Sequence, residues 1–328
     1  MGSIIEVKEL AKSYIVYHKE PGLVGSLRSL YCRRKDTVAA VKDITLSIGE
    51  GELVGFIGPN GAGKTTTLKM LSGLLHPSGG HATVLGYTPW QRQPAYLEQV
   101  SLVMGQKNQL WWDLPLIDSL LLQKDLYNVS ESAWQESLAE LIELLDLEKI
   151  LTVQVRRLSL GQRMRAELAA ALIYRPKVLF LDEPTIGLDI VVQRKIREFI
   201  KQYKQRHRAT IILTSHYLDD VRELADRIII IDQGEIRFDG TADQLIKQHV
   251  NHRRIVLNFT QPVERATLEK AGRLINFEPH RATLQVPRTK TSSIAAELLA
   301  ALPVEDIAIA EPSLEDVVRE LFSGKDYA

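Results

Sequence analysis

The sequence predicts an α/β domain followed by a smaller α+β domain. Up to about residue 248, short apolar runs of strand length alternate with helical stretches, which is the pattern of an α/β domain. After a basic stretch at 249–254, the expected order becomes strand, helix, strand, strand, helix, strand and a last helix, a ferredoxin-like arrangement with one helix added. A length of 328 residues suits one large and one small domain, so we expect domains at 1–248 and 249–328.

The predicted elements follow one another along both domains. Strands of the first domain are expected at Ile4–Leu10, Leu53–Ile57, Val100–Met104, Val178–Leu181, Thr210–Thr214 and Ile228–Asp232. Its helices are expected at Lys64–Leu74, Glu131–Leu145, Gly161–Ile173 and Val192–Gln205. Strands of the second domain are expected at Arg254–Phe259, Leu274–Phe277, Ala282–Val286 and Ile307–Ile309, and helices at Glu264–Ala271, Ser292–Ala301 and Leu314–Phe322.

The composition argues against several classes of protein. Forty-one Lys and Arg residues balance 41 Asp and Glu residues, so we expect no nucleic-acid partner, because such proteins usually carry a basic excess. The longest apolar runs, around Val178–Leu181 and Ile228–Ile231, are too short to span a membrane. The N-terminal MGSIIEVKEL lacks the long apolar core of a signal peptide. Cys32 is the only cysteine, which suits a reducing cytoplasmic compartment.

A phosphate-binding loop is predicted after the strand Leu53–Ile57. The pattern G-x-x-x-x-G-K-[ST] is matched there, directly before a predicted helix. Its glycines leave backbone N–H groups free to face phosphate oxygens, and the helix N-terminus adds partial positive charge. Lys64 then reaches the β- and γ-phosphates, and the Thr65 hydroxyl is a ligand for Mg²⁺. The loop indicates a P-loop NTPase whose ATP-binding residues are Gly58, Pro59, Asn60, Gly61, Ala62, Gly63, Lys64, Thr65 and Thr66.

Two carboxylates end the apolar strand that begins at Val178. In open α/β sheets, ligands bind at the carboxyl ends of the strands, so Asp182 and Glu183 are expected to face the nucleotide. Asp182 can hold Mg²⁺ through water and complete the metal site begun by Thr65. Glu183 can polarise the attacking water as a general base.

A third motif shows which kind of P-loop NTPase the sequence resembles. The run Leu158–Arg163 reads LSLGQR and closely resembles the LSGGQ signature of ATP-binding cassette (ABC) ATPases. It precedes a predicted helix, whose start forms a second anion site. The resemblance implies that this site faces the ATP bound by an opposite subunit. Leu160 departs from the consensus glycine and removes one flexible backbone unit. The signature residues expected to act in trans are Ser159, Leu160, Gly161 and Gln162.

Further motifs resemble those of the ABC family, in the same order. Gln106 resembles the Q-loop glutamine, which the family uses at Mg²⁺ and the attacking water. Asp189 lies in a segment that resembles the D-loop at the dimer seam, and His216 resembles the switch histidine that contacts the γ-phosphate. Tyr14 is where the family places an aromatic residue against adenine, although Tyr17 is close enough to compete.

Membership in this family implies an architecture, an activity and partners. The expected fold is a RecA-like core with an antiparallel β subdomain and a helical signature subdomain. The expected activity is ATP hydrolysis with Mg²⁺, by two subunits that dimerise around two ATP molecules. A homodimer is expected, because catalytic and signature elements are both present, but a heterodimer stays open. Closing and opening of the dimer would drive a separate membrane permease that selects the cargo. The permease would hold the chain on the cytoplasmic face of the membrane.

Two segments bear on the direction of transport. In the insert Tyr17–Asp36, four apolar residues fall at helical spacing beside four basic ones, namely Leu23, Leu27, Leu30, Tyr31, Arg28, Arg33, Arg34 and Lys35. A similar insertion occurs in ATPases of polysaccharide exporters, and Glu311–Val317 resembles the C-terminus of ABC-2-type exporter ATPases. We therefore expect export; an importer ATPase and a non-transport ABC ATPase are the alternatives. Trp111 and Trp112 either face the permease or pack the helical subdomain.

Overall fold

A computed structural model of the protein describes residues 2–18, 34–105, 109–215, 217–249, 251–312 and 314–323. Contacts divide the chain into two compact units, Met1–Asp239 and Gly240–Ala328. The helix Ala242–His249 packs against the last helix, Leu314–Ser323, and therefore falls in the second unit. The domain boundary expected between 248 and 249 stays a prediction.

The elements are numbered in chain order. The strands are β1 (Ser3–His18), β2 (Arg34–Gly49), β3 (Leu53–Ile57), β4 (Gly79–Val84), β5 (Val100–Met104), β6 (Val178–Asp182), β7 (Thr210–Thr214), β8 (Arg227–Asp232), β9 (Glu235–Gly240), β10 (His252–Phe259), β11 (Arg273–Glu278), β12 (Arg281–Pro287) and β13 (Val304–Ala310). The helices are α1 (Lys64–Leu71), α2 (Pro94–Leu97), α3 (Leu116–Leu126), α4 (Glu131–Leu145), α5 (Leu160–Leu172), α6 (Ile190–His207), α7 (Leu218–Leu224), α8 (Ala242–His249), α9 (Arg265–Glu269), α10 (Thr291–Ala301) and α11 (Leu314–Ser323). The predicted α/β class is confirmed.

The largest sheet within the described residues has six strands in the order β5-β6-β7-β3-β8-β9. The pairs from β5 to β8 are parallel, and every residue of β3, β6 and β7 is buried, as expected for parallel strands covered on both faces. On one face, Phe180 shares an apolar cluster with Leu68 of α1. On the other face, Leu181 shares a cluster with Leu168 of α5. Because the strands run in parallel, β3, β6 and β7 bring their carboxyl ends to one edge.

An antiparallel sheet of order β2-β1-β4 forms the predicted β subdomain. The β1–β2 ladder runs from Ser3 opposite Gly49 to His18 opposite Arg34, so β1 extends well beyond the predicted end at Leu10. A long hairpin explains this, since each strand satisfies the backbone hydrogen bonds of the other. Both ends of the predicted insert lie in this ladder. The apolar residues at helical spacing, 23–31, lie outside the described residues.

Helices α3 and α4 both pack against α5, and these three helices form the mainly helical part of the first unit. Trp134 and Leu141 of α4 are buried in the cluster that also contains Leu168 of α5. Trp111 and Trp112 are 62% and 47% exposed. The sequence left open whether these two residues pack the core or face outward, and their exposure shows that they are surface residues.

The second unit has a four-stranded antiparallel sheet of order β11-β12-β10-β13 within the described residues. Leu257 of β10 and Leu284 of β12 pack in one core with Leu268 of α9 and Leu298 of α10. The order strand, helix, strand, strand, helix, strand confirms the ferredoxin-like prediction. Across the described ranges, no helix is both long enough and apolar enough to cross a membrane.

Candidate functional site

The phosphate-binding loop joins β3 to α1 at the carboxyl edge of the parallel sheet. Gly63 takes a φ of 107°, and a Cβ atom there would lie 2.5 Å from the backbone oxygen of Ala40. Real Cβ atoms do not approach oxygen so closely, and the left-handed backbone adds strain for any side chain. Glycine is therefore required where the loop passes under β2. The helix α1 ends at Leu71, before the predicted end at Leu74, because Gly73 turns the chain with a φ of 78°.

Lys64 is held at the centre of the loop. Its side chain is 5% exposed, and its ammonium group donates to the backbone oxygens of Gly58 at 2.6 Å and Pro59 at 3.0 Å. Burial lowers the pKa of Lys64, and the nearby charges of Glu183 and Asp182 oppose that shift. A partly desolvated cation faced by two carboxylates and held by the loop's own carbonyls is well placed to bind a phosphate oxygen.

A cavity of about 350 Å³ lies over the loop. Its lining comes from the predicted loop, from β2 and from the end of β6, namely Val38, Ala39, Ala40, Asn60, Gly61, Ala62, Gly63, Lys64, Thr65, Thr66 and Glu183. Tyr14 of β1 lies directly opposite Val38 of the neighbouring strand β2, and Val38 lines the cavity. The residue predicted to contact adenine is therefore next to the cavity wall. Its ring is 40% exposed, and the ammonium of Lys12 lies 5.4 Å from the ring centre.

Three oxygen-bearing side chains meet beside this cavity. The Thr65 hydroxyl donates to both carboxylate oxygens of Asp182, at 3.0 and 2.9 Å. The Thr214 hydroxyl donates to Oδ1 of Asp182 at 2.7 Å. Hydroxyl and carboxylate oxygens are the ligands that a hard cation such as Mg²⁺ prefers. Thr65 and Asp182, two of the three predicted metal ligands, are therefore adjacent, and their chemistry fits the cation.

Glu183 follows with an unusual backbone. Its φ is 56°, in the left-handed region that non-glycine residues rarely adopt, and its N–H donates to the Thr214 carbonyl and hydroxyl at 3.1 and 3.0 Å. Gly105, at the end of β5, packs so closely that a Cβ atom would lie 2.1 Å from the Glu183 carbonyl oxygen. The backbone of the predicted general base is thus fixed by two neighbouring strand ends.

The signature segment forms a capped helix start. The Ser159 hydroxyl accepts the Gln162 N–H at 3.2 Å, and the Gln162 side-chain oxygen accepts the Ser159 N–H at 2.9 Å. This capping box satisfies two of the four N–H groups that a helix N-terminus leaves without an intrahelical partner. By helix geometry, the N–H groups of Leu160 and Gly161 then remain for an external acceptor, such as a phosphate oxygen.

The signature start lies beside the predicted D-loop of the same chain. A Cβ atom on Gly161 would lie 3.0 Å from the Val192 side chain, so α5 and α6 touch there. Asp189 caps α6 by accepting the N–H groups of Val191 and Val192, both at 3.0 Å. Three apolar side chains around this contact are exposed: Leu160 at 46%, Ile190 at 79% and Val191 at 64%. A group of exposed apolar residues is typical of an interaction surface.

The structure brings together the loop Gly58–Thr66, Asp182 and Glu183. Gln106 and His216, the predicted Q-loop and switch residues, lie outside the described residues. Sequence reasoning did not single out Thr214 or Gly105. Both lie at the carboxyl end of a predicted strand, which is the signal that could have marked them.

Comparisons with known proteins agree with this geometry. Residues 41–186 match the family described as ABC transporter, and residues 251–310 match the EvrA-like ABC transporter C-terminal domain. The doxorubicin resistance ATP-binding protein DrrA of Mycobacterium tuberculosis is 33% identical over 313 residues, covering 90% of this chain and 91% of that protein. The ABC transporter ATP-binding protein NatA of Bacillus subtilis is 36% identical over 213 residues, covering 65% and 86%.

Solved structures show the same fold. An ATP-binding subunit of an ABC transporter superimposes with a TM-score of 0.63 at 26% identity, over 75% of this chain and 93% of that one. A dimeric ATP-binding cassette in a post-hydrolysis state, bound to ADP and Pi, has a TM-score of 0.60 at 24% identity, over 72% and 98%. The likeness to this dimer concerns the fold alone.

Proposed function

The chain belongs to the ABC transporter family as an ATP-binding, ATP-hydrolysing subunit, and from that premise we propose that two copies close around two ATP molecules to drive export by a separate membrane permease. The observation that supports the proposal most is the division of the site. The loop and Glu183 line one cavity, with Asp182 hydrogen-bonded to Thr65 beside it, whereas the second anion site at Ser159 opens among exposed apolar residues. A partner copy would cover those residues and bring its own signature to the phosphate.

Each residue of the cavity has a distinct role in hydrolysis. Thr65 and Asp182 would hold Mg²⁺, which when bound supplies positive charge against the phosphate oxygens. Lys64 binds the β- and γ-phosphates with the loop N–H groups around it. Glu183, on the cavity wall, orients the attacking water and accepts its proton. Gln106 and His216 are proposed to sense the cation and the γ-phosphate, and Tyr14 to stack on adenine.

Export is favoured by the names of the relatives and by the segment Glu311–Val317, which resembles the C-terminus of ABC-2-type exporter ATPases. Several relatives are resistance proteins, for doxorubicin, daunorubicin and linearmycin. Removing a toxic compound from the cell is the transport direction that resistance requires. The permease would select the cargo and hold this chain at the cytoplasmic face of the membrane.

A mixing experiment tests the shared site. Lys64→Ala removes the phosphate-binding cation, and Ser159→Arg blocks the signature cap, so each variant alone is expected to lose ATP hydrolysis. An equimolar mixture should recover about a quarter of the wild-type rate, because about half of randomly paired dimers combine the two variants and retain one intact site of two. Phosphate release at saturating ATP and Mg²⁺ measures this.

The matched control mixes Lys64→Ala with Asp182→Asn. Both lesions lie on the same half of the site, since the Asp182 charge acts on Lys64 and the Asp182 carboxylate accepts from the neighbouring Thr65. No combination of these chains therefore contains an intact site. Recovery only in the first mixture supports a signature donated by the partner. If neither mixture recovers, the composite homodimer is contradicted.

The exposed tryptophans predict a surface for the permease. Large aromatic side chains exposed on a surface are frequent binding hot spots, and Arg163 lies 4.7 Å over the ring of Trp112. We expect the double variant Trp111→Ala, Trp112→Ala to keep basal ATP hydrolysis and to lose most of the stimulation by the co-purified permease. Leu299→Ala, an exposed apolar residue of α10, is the control. Full stimulation of the tryptophan variant would show that the permease docks elsewhere.

A further inference from the structure

Asp220 is a fully buried carboxylate outside the predicted site. Its exposed fraction is 0%, and three side chains from three segments donate to it. The Thr185 hydroxyl lies at 2.5 Å and the Ser215 hydroxyl at 2.7 Å from Oδ2, and the Arg197 guanidinium lies at 2.8 Å from Oδ1. A buried charge is tolerated only when it is paired and hydrogen-bonded, and Asp220 is both.

Two of these contacts lead directly to Glu183. Thr185 follows Glu183 by two residues, with Pro184 between them, so the Asp220 contact anchors the chain just after the proposed base. Ser215 is bonded in sequence to Thr214, whose carbonyl and hydroxyl both accept the Glu183 N–H. The Asp220 carboxylate therefore braces Glu183 from the segment that follows it and from the strand end that lies beside it.

Glu183 needs such bracing because of its backbone. A non-glycine residue with a φ of 56° has a strained backbone, which persists only where its surroundings fix it. The Gly105 backbone closes one side of Glu183, and the Asp220 contacts hold the other segments. Without the Asp220 contacts, the Glu183 segment can relax to an ordinary backbone, which would turn the carboxylate away from its place on the cavity wall.

We propose that Asp220 is a positioning residue for ATP hydrolysis, which holds the strained backbone of Glu183 through the hydroxyls of Thr185 and Ser215. Asp220 itself touches neither nucleotide nor water in this role. The inference rests on the proposed function of Glu183 as the base. Arg197 of α6, which also contacts Glu223 at 2.8 Å, keeps the buried charge of Asp220 compensated.

The first test is Asp220→Asn, with the exposed neighbour Asp219→Asn as its control. We expect kcat of Asp220→Asn to fall by at least about tenfold, because small displacements of a reacting group are costly, while KM for ATP stays within about twofold. Asp219→Asn should match the wild type in kcat, KM and melting temperature. Equal losses in ATP affinity, melting temperature and turnover would instead indicate a merely structural role and overturn the proposal.

A milder pair decides the question if Asp220→Asn fails to fold. Thr185→Val replaces the hydroxyl with a methyl group and keeps the shape of the side chain, whereas Thr185→Ser keeps the hydroxyl. Both variants leave the Arg197–Asp220 pair in place. We expect the kcat of Thr185→Val to fall while Thr185→Ser retains turnover at an unchanged KM. Equal kcat values for these two variants would refute the role of the hydroxyl contact.

A double variant separates this inference from the proposed base. If Asp220 acts through Glu183, then adding Thr185→Val to Glu183→Gln should cause no further loss of the residual rate. Additive losses would mean that the contact acts on another group and would overturn the inference. Wild-type turnover of Glu183→Gln alone would instead refute the base, whatever the Thr185 variants do.

Discussion

Glu183→Gln is expected to lower the rate of ATP hydrolysis by about 10²- to 10⁴-fold, the usual contribution of a general base. The amide matches the carboxylate in shape but cannot accept a proton from water. Lys64 donates to the Gly58 and Pro59 carbonyls and Thr65 donates to Asp182, and these hydrogen bonds remain in the variant, so ATP binding should persist. Phosphate release and the binding of a fluorescent ATP analogue measure the two effects separately.

The same variant should accumulate as an ATP-bound dimer. In the proposed dimer, hydrolysis removes the γ-phosphate that bridges the loop of one copy and the signature cap of the other, so blocked hydrolysis leaves the pair closed. Light scattering with ATP and Mg²⁺ should give about twice the monomer mass. Glu148→Gln, an exposed glutamate of the helical part, is the control and should turn over normally. Undiminished hydrolysis by Glu183→Gln would remove Glu183 from the mechanism.

Features carried by contiguous residues were predictable. The loop, the helix start at the signature and the strand before Asp182 depend on local backbone chemistry, and each lies where the sequence placed it. The meeting of Thr65 with Asp182, 117 residues apart, was predictable as well, because parallel strands end at one edge. The second unit's topology followed from the order of its elements.

Features that depend on packing between distant segments could not be read from the sequence. Thr185 and Asp220 are 35 residues apart, and neither belongs to a phosphate-binding pattern that would have paired them. The close approach of Gly105 to the Glu183 carbonyl depends on where the Glu183 backbone turns, and local sequence propensity does not determine that position. The length of β1 was missed because residues 14–16 carry exposed apolar side chains, a pattern that does not alternate as a half-buried strand should.

Gly63→Ala should weaken ATP binding by at least about tenfold, because two penalties coincide at this position. The added Cβ atom would meet the Ala40 oxygen at 2.5 Å, and that oxygen belongs to the backbone of β2, which cannot rotate away. The φ of 107° adds strain for alanine. The loop must then shift, and Lys64 and Thr65, the next two residues, shift with it. Titration with a fluorescent ATP analogue measures the loss.

Gly86→Ala separates strain from contact. Gly86 also has a left-handed φ, of 79°, but an added Cβ atom would meet nothing within 4 Å. This variant should lose about 1 kcal/mol of stability from strain alone and bind ATP like the wild type. Wild-type ATP affinity in Gly63→Ala would show that β2 yields to the added methyl group. The phosphate cradle would then depend on the loop's own backbone and not on its close passage under β2.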